Sequence, residues 1–305
     1  MKQTPLIKVS ENIFVKLEQF NPTGSHKYRA AKFIVNRAIK DGELAPYGER
    51  RIIEKSGGNL GLGLAFEARK KGIGVDLVIG LSFSPLKRCL CEQFGARLIG
   101  QELLEQGMQP KQIINQILEQ HGEKYFYTDQ FNNPENLRAH YDETGPEIVK
   151  QLEEMGLTNK EIILVKGAGT GASVTGIGRR LKEKLNKAKV FLVQPDNCDI
   201  KQRLFCEHHI EGIMVGIYPP FLEADLIDEL ISVTEQEAIE GQKMFAQQTG
   251  LFPGISSGAN FYAASSIAKQ FKDSVVLTVS YDYGEGYLLR TLLKEKSSLL
   301  NVYIG

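Results

Sequence analysis

The 305-residue sequence predicts an α/β protein of two domains with mainly parallel sheets. One reason is the alternation of strand, glycine loop and helix. Arg51-Ile-Ile-Glu54 leads through Ser56-Gly-Gly-Asn-Leu-Gly61 into an apolar helix from Leu64 to Lys71, and Val75–Ile79 leads into Pro85–Phe94. The same rhythm returns in the second half as Ile162–Val165, Gly167-Ala-Gly-Thr-Gly171, a helix to about Leu185, and Val190–Val193. A further reason is that strands such as Val275-Val-Leu-Thr-Val279 are near-continuous apolar runs, as expected of strands covered on both faces. Length is the third reason, since 305 residues suffice for two medium-sized cores.

In chain order, Pro5–Val9 and Ile13–Leu17 are predicted strands, followed by a turn and a helix from Tyr28 to Ile39. Asp41-Gly42, Pro46 and Gly48 break that helix from the next unit. Ala96–Ile99 is a strand, Pro110–His121 a helix and Tyr125–Tyr127 a strand. The polar segment Gln130–Asn136 then interrupts the pattern, and a helix spans His140–Met155 with a break at Gly145-Pro146. A domain boundary is placed here, giving residues 1–145 and 146–305, with the first residues free to cross onto the other domain. Asp225–Val233 supplies a strand and Glu235–Thr249 a helix.

Composition removes several classes of function. Lysine plus arginine and aspartate plus glutamate both total 37, so net charge is zero and neither nucleic acid nor an anionic membrane surface is called for. An apolar share of 42% and a charged share of 24% are those of a globular chain. The N-terminus carries no apolar leader, and no run reaches the roughly 18 apolar residues of a membrane span. A cytoplasmic protein is expected. Cys89, Cys91, Cys198 and Cys206 fit reduced thiols, and with the five histidines they form no zinc spacing, so no metal is expected.

Chemistry concentrates in four stretches. In Asn21-Pro-Thr-Gly-Ser-His-Lys-Tyr-Arg29, Ser25 is a suitable N-cap, which puts Lys27 at a helix entrance, where a cation is poorly placed and loses its proton more easily. A neutral lysine amine forms a Schiff base with a carbonyl; the plainer reading is an exposed lysine after a turn. Gly167-Ala-Gly-Thr-Gly-Ala-Ser173 follows a strand and opens a helix, the arrangement that holds a phosphate on backbone amides. It also satisfies Gly-x-Gly-x-x-Ala, which keeps an NAD(P)-dependent oxidoreductase in view. The acidic residue such a site wants about 20 residues on has its nearest match at Asp196, 29 residues past Gly167, which favours a single phosphate. Ser56–Gly61 offers backbone amides and Asn59 to a carboxylate or ring hydroxyl, and Phe252–Ala259 offers Ser256 and Ser257. Both loops are equally readable as helix caps. His26 is read as loop packing and His208-His209 as solvated loop.

Taken together, these loops resemble the cysteine synthase and cystathionine β-synthase family, the β-substituted alanine synthases, from Thr4-Pro-Leu6 to Tyr287. The resemblance implies a fold-type II pyridoxal phosphate enzyme, tryptophan synthase β-like, of two three-layer αβα domains. By its motifs, Lys27 is the Schiff-base lysine and catalytic base; Gly169, Thr170, Gly171, Ala172 and Ser173 cradle the phosphate; Asn59 meets the ring hydroxyl; and Ser256 meets the pyridine nitrogen. Ser56, Gly57, Gly58 and Leu60 form the substrate carboxylate loop, joined by Gln130, Gly212 and Met214. Departures cluster at the substrate end. Gly57 and Leu60 replace hydroxyl residues, Met214 and Val215 replace small ones, and Tyr283-Gly-Glu-Gly-Tyr287 lacks the family's arginine.

The implied reaction is β-replacement on an O-acetylserine or O-phosphoserine type of donor through an aminoacrylate, in a homodimer. A β-eliminating lyase of the desulfhydrase or serine/threonine dehydratase type is the alternative within the family. A non-catalytic paralogue is a further one.

Overall fold

Two sheets divide the chain. The computed structural model describes residues 3–56, 58–81, 83 and 85–287. In chain order the main elements are β1 (Leu6–Lys8), β2 (Ile13–Leu17), α1 (Lys27–Lys40), β3 (Arg51–Glu54), α2 (Asn59–Arg69), β4 (Val75–Leu77), α3 (Pro85–Gln93) and β5 (Ala96–Leu98). There follow α4 (Gln101–Glu105), α5 (Pro110–His121), β6 (Tyr125–Tyr127), α6 (Glu135–Ala139), α7 (Gly145–Glu154), β7 (Ile162–Gly167) and α8 (Ala172–Lys184). The last are β8 (Ala188–Pro195), β9 (Glu229–Val233), α9 (Glu235–Thr249), α10 (Ile255–Gln270) and β10 (Val275–Ser280).

One sheet runs β1-β2-β10-β7-β8-β9, parallel except for β1, which pairs antiparallel with β2. Alternate residues of its buried strands feed two cores, as the twofold period of a strand requires. Ile162 and Leu164 pack with Ile148 and Leu152 of α7 and with Val174, Ile177 and Leu181 of α8. Ile163 and Val165 pack with Ala238 and Phe245 of α9 and with Ala259, Phe261 and Ala264 of α10. The result is a three-layer αβα unit. The other sheet, β5-β4-β3-β6, is wholly parallel. Ile53 joins Leu104 of α4 and Ile113 and Ile114 of α5 in its core, while α2 and α3 lie against β4 and β5.

The chain forms two compact units. Among the described residues, Gln3–Phe33 together with Gln130–Tyr283 make one, and Ile34–Asp129 with Gly284–Tyr287 make the other. A boundary at residue 145, expected from the sequence, therefore differs from the observed division. The N-terminal segment joins the first unit because β2 pairs with β10, and residues 130–145 join it because α6 and the turn after it pack on α8. The helix expected from His140 to Met155 begins earlier, at Glu135, and a π turn at His140–Thr144 carries it into α7. Gly145 keeps helical geometry, and Pro146 is the second residue of α7, directly after the π turn.

Candidate active site

Lys27 is the first residue of α1 and is half-buried. The turn before it is built by local chemistry. Thr23 and Gly24 take positive φ values of 63° and 72°, and the Ser25 hydroxyl accepts the Lys27 N–H at 3.2 Å, as a capping serine does. His26 N–H donates to the Tyr281 carbonyl at 3.0 Å, and Ser25 bridges Asp282, so the loop is pinned to the chain leaving β10. Two residues further on, Arg29 donates to Glu18 at 2.7 Å and to both carboxylate oxygens of Glu147 at 2.7 and 2.8 Å. Lys16, 0% exposed, completes that network through Glu147 at 2.9 Å, Gln151 at 2.8 Å and the Thr4 carbonyl at 2.7 Å. The start of α1 is thus held by buried, mutually compensated charge.

The same unit contains the glycine loop between β7 and α8. Gly167 N–H donates to Asn260 Oδ1 at 2.8 Å, and Asn136 Nδ2 reaches the Gln130 carbonyl at 2.8 Å and Thr170 Oγ1 at 3.2 Å. A Cβ on Gly169 would lie 2.6 Å from the Gly212 carbonyl oxygen, and one on Gly171, where φ is +85°, 2.5 Å from the Leu222 nitrogen. Glycine is required at both places. Gly171 caps α8 without any side-chain hydrogen bond of its own, the Ala172 N–H reaches Thr170 Oγ1 at a long 3.4 Å, and the positive end of the dipole of a 13-residue helix lies at Ala172 and Ser173. Gly212, at φ +96°, stands so close to Ser256 that an added Cβ would lie 3.6 Å from its Oγ. That Ser256 hydroxyl, in the first turn of α10, makes no hydrogen bond among the described residues, whereas Ser257 Oγ accepts from Tyr281 N–H at 2.8 Å. The segment that follows, Gly212–Gly216, is tied to the loop by Met214 N–H on the Ala168 carbonyl at 2.8 Å.

The second unit holds the other predicted loop. Ser56 Oγ accepts the Gly61 N–H at 3.2 Å, and a Cβ on Gly61 would meet the Ser56 carbonyl at 2.4 Å, so serine and glycine together make the tight entry to α2. Gly58 is the N-cap, and Asn59 opens the helix with Oδ1 accepting from Lys87 Nζ at 3.2 Å. Gly57 lies outside the described residues. Leu60 and Met214, both expected to meet substrate, are only 2% exposed, and Met214 packs within the apolar core of its unit.

Of three groups near Lys27, His26 is the one read from the sequence as loop packing, and the other two escaped the sequence reading. His140 is buried, and the His26 ring lies 5.9 Å from it and 4.9 Å from the Tyr281 ring. Burial first, then the positive charges of Lys27 and Lys166, hold both imidazoles well below their ordinary range, so they are neutral at pH 7. Lys166 is the third, 1% exposed at the end of an apolar strand. A lysine closing the run Ile162-Ile-Leu-Val165 was the available signal, as was Lys16 within Ile13-Phe-Val.

Residues 1–282 match the family of pyridoxal-phosphate dependent enzymes. The chain belongs to that family. It is similar to cysteine synthase B of Campylobacter jejuni, 36% identical over 292 residues that cover 93% of this chain and 94% of that protein. Among solved structures, an O-ureido-L-serine synthase superposes with a TM-score of 0.83 at 30% identity, covering 93% of this chain and 90% of its own. An O-acetylserine-dependent cystathionine β-synthase from Helicobacter pylori gives 0.82 at 30% identity, covering 94% of each. As a pyridoxal-phosphate dependent enzyme of the cysteine synthase family, the chain uses pyridoxal phosphate, and the oxidoreductase and non-catalytic readings fall away. No helix among the described residues is long and apolar enough to cross a membrane.

Proposed function

We propose that this cytoplasmic enzyme, working as a homodimer, carries out β-replacement on an activated serine of the O-acetylserine or O-phosphoserine type, with Lys27 as the lysine that holds the cofactor. One observation carries this reading. His26, next to Lys27, donates its N–H to the Tyr281 carbonyl at 3.0 Å, and the Tyr281 hydroxyl meets Lys166, which donates to Ser173 of the glycine loop at 2.7 Å, a hydrogen-bonded path within one unit that supports reading Lys27 and residues 169–173 as parts of one site.

The residues fit the cofactor. Gly169, Thr170, Gly171, Ala172 and Ser173 would take the phosphate on a helix N-terminus whose approach is made by glycines packed against the Gly212 and Leu222 backbone. Ser256, with a hydroxyl unclaimed among the described residues, would meet the ring nitrogen as a neutral group, and Asn59 would meet the ring hydroxyl. When bound, pyridoxal phosphate supplies an electron sink for the carbanion character that develops at the amino acid's Cα. Lys27, once released by an incoming amino acid, is the base that takes and returns the Cα proton. His26 and His140, held neutral at pH 7, add no charge of their own beside Lys27. Ser56, Gly57, Gly58 and Leu60, with Gln130, Gly212 and Met214, form the substrate end. Loss of two hydroxyl donors at Gly57 and Leu60 leaves the carboxylate to backbone amides and Ser56.

The test is spectroscopic and kinetic. Purified protein given cofactor should develop visible absorbance that shifts when an O-activated serine is added, and Lys27→Ala should abolish the resting band. Product analysis with sulfide and with oxygen or nitrogen nucleophiles then separates replacement from elimination. Protein that remains colourless in the presence of cofactor, with Lys27→Ala indistinguishable from it, overturns the reading.

A further inference from the structure

Lys166 is a buried amine that none of the steps above uses. Its Nζ donates to Ser173 Oγ at 2.7 Å and to the Tyr281 hydroxyl at 2.9 Å, with the Gly167 carbonyl at 3.4 Å. The Tyr281 hydroxyl passes its own hydrogen to the Gly167 carbonyl at 2.9 Å, and Nζ stands 4.2 Å from the centre of the tyrosine ring. Every one of these partners is neutral. Among the described residues no carboxylate lies within ion-pair distance of Lys166. Glu18, the carboxylate that acts on it from further away, is already bonded to Arg29. Burial and the charge of Lys27 both push the amine well below its ordinary value. A cation kept dry with neutral partners is costly, and an incoming anion offsets that cost.

The place where an anion would arrive is set by Ser173. It is the second residue of α8, on the turn opened by Gly169 and Gly171, and it is half-buried where Lys166 is fully enclosed. By accepting from Lys166, the Ser173 oxygen leaves its own hydrogen to be donated onward, and the neighbouring positive charge strengthens that donation.

We propose that Lys166 is the positioning residue that supplies the cradle's positive charge, acting through Ser173 on the phosphate of the bound cofactor. This rests on the reading of residues 169–173 as the phosphate cradle. It makes affinity for the phosphate, rather than for the ring, the property that Lys166 controls.

The experiment compares pyridoxal phosphate with pyridoxal, which lacks the phosphate but still reaches Lys27. Both affinities are measured by absorbance and fluorescence titration on wild type, Lys166→Met and Lys166→Arg, with circular dichroism as the check on folding and ³¹P NMR on the bound phosphate. Lys166→Met is expected to weaken pyridoxal phosphate about tenfold or more while leaving pyridoxal within a factor of about two, and to move the ³¹P resonance. Lys166→Arg should restore part of the loss. Ser173→Ala should cost a comparable factor, and the double variant little more than either single one, because both act on one contact. This second variant also decides the matter if Lys166→Met fails to fold: Ser173→Ala that leaves the preference for pyridoxal phosphate intact overturns the relay. A folded Lys166→Met with the wild-type preference and an unmoved ³¹P resonance overturns the proposal and leaves the cradle standing. A wild type that shows no preference between the two ligands overturns the cradle and the proposal together.

Discussion

Lys16 and Lys166 are both lysines in central strands of the same sheet, both inaccessible to solvent, and they are opposites in chemistry. Lys16 sits among Glu147, Gln151 and the Thr4 carbonyl, and Glu147 is shared with Arg29, itself bonded to Glu18. Its charge is compensated within the fold. Lys166 has a hydroxyl, a phenol and a carbonyl, and the charge that bears on it most strongly is another lysine, Lys27. The difference separates a residue that serves the fold from one whose partner comes from outside. Burial alone does not distinguish them.

Four outcomes would break or sharpen that contrast. Lys16→Met should cost about 3–5 kcal/mol in urea or thermal unfolding, because it leaves buried carboxylate and amide oxygens without their cation. A loss below about 1 kcal/mol would mean that Arg29 alone suffices and that the network is less integrated than its geometry suggests. Gly171→Ala should cost about 2 kcal/mol or more, since a non-glycine residue at φ +85° is strained and its Cβ would overlap the Leu222 backbone, and it should also weaken cofactor binding.

Acidification comes next. His26 and His140 are held below their ordinary value in the folded protein and regain it on unfolding. Below about pH 6.5 the unfolded chain therefore binds more protons, and stability should fall as pH is lowered, by up to about 1.4 kcal/mol per pH unit for each imidazole. Urea midpoints of the cofactor-free protein between pH 7 and pH 5, with His140→Asn as the control of shallower slope, check this. The smallest effect is expected at Lys166. Lys166→Met should change the stability of the cofactor-free protein by less than about 1 kcal/mol, or raise it, since an apolar side chain replaces an amine that has no carboxylate partner. Equal losses for Lys16→Met and Lys166→Met would erase the distinction.

Much of the local geometry of the candidate site was legible because its signals are local. Ser25 before Lys27, glycines at 167, 169 and 171 after an apolar strand, and Ser256 after Pro253-Gly254 are each set by what a turn or helix start demands within a few residues. The domain division was less legible. β2 pairs with β10 across some 260 residues of chain, a contact without local signature, and it carries Lys27 into the unit of the glycine loop. Reading Gly145-Pro146 as a break overlooked the preceding π turn, which carries the helix into α7 and left no mark in the periodicity. Leu60 and Met214 stand where relatives have smaller or polar residues, and their 2% exposure is a matter of tertiary packing that the substitution itself does not reveal.

What the sequence determined by itself was the alternation that makes parallel sheets, the lysine at a helix entrance and the glycine loop at the start of a helix, since each follows from backbone sterics and hydrogen bonding between near neighbours. Tertiary structure alone decided which buried charges have partners. Lys16 and Lys166 are each one charged letter in an apolar run, and only the packing of α7 and its Glu147 against the first, and of Ser173 and Tyr281 against the second, makes one an internal ion pair and the other a candidate counter-charge for a ligand.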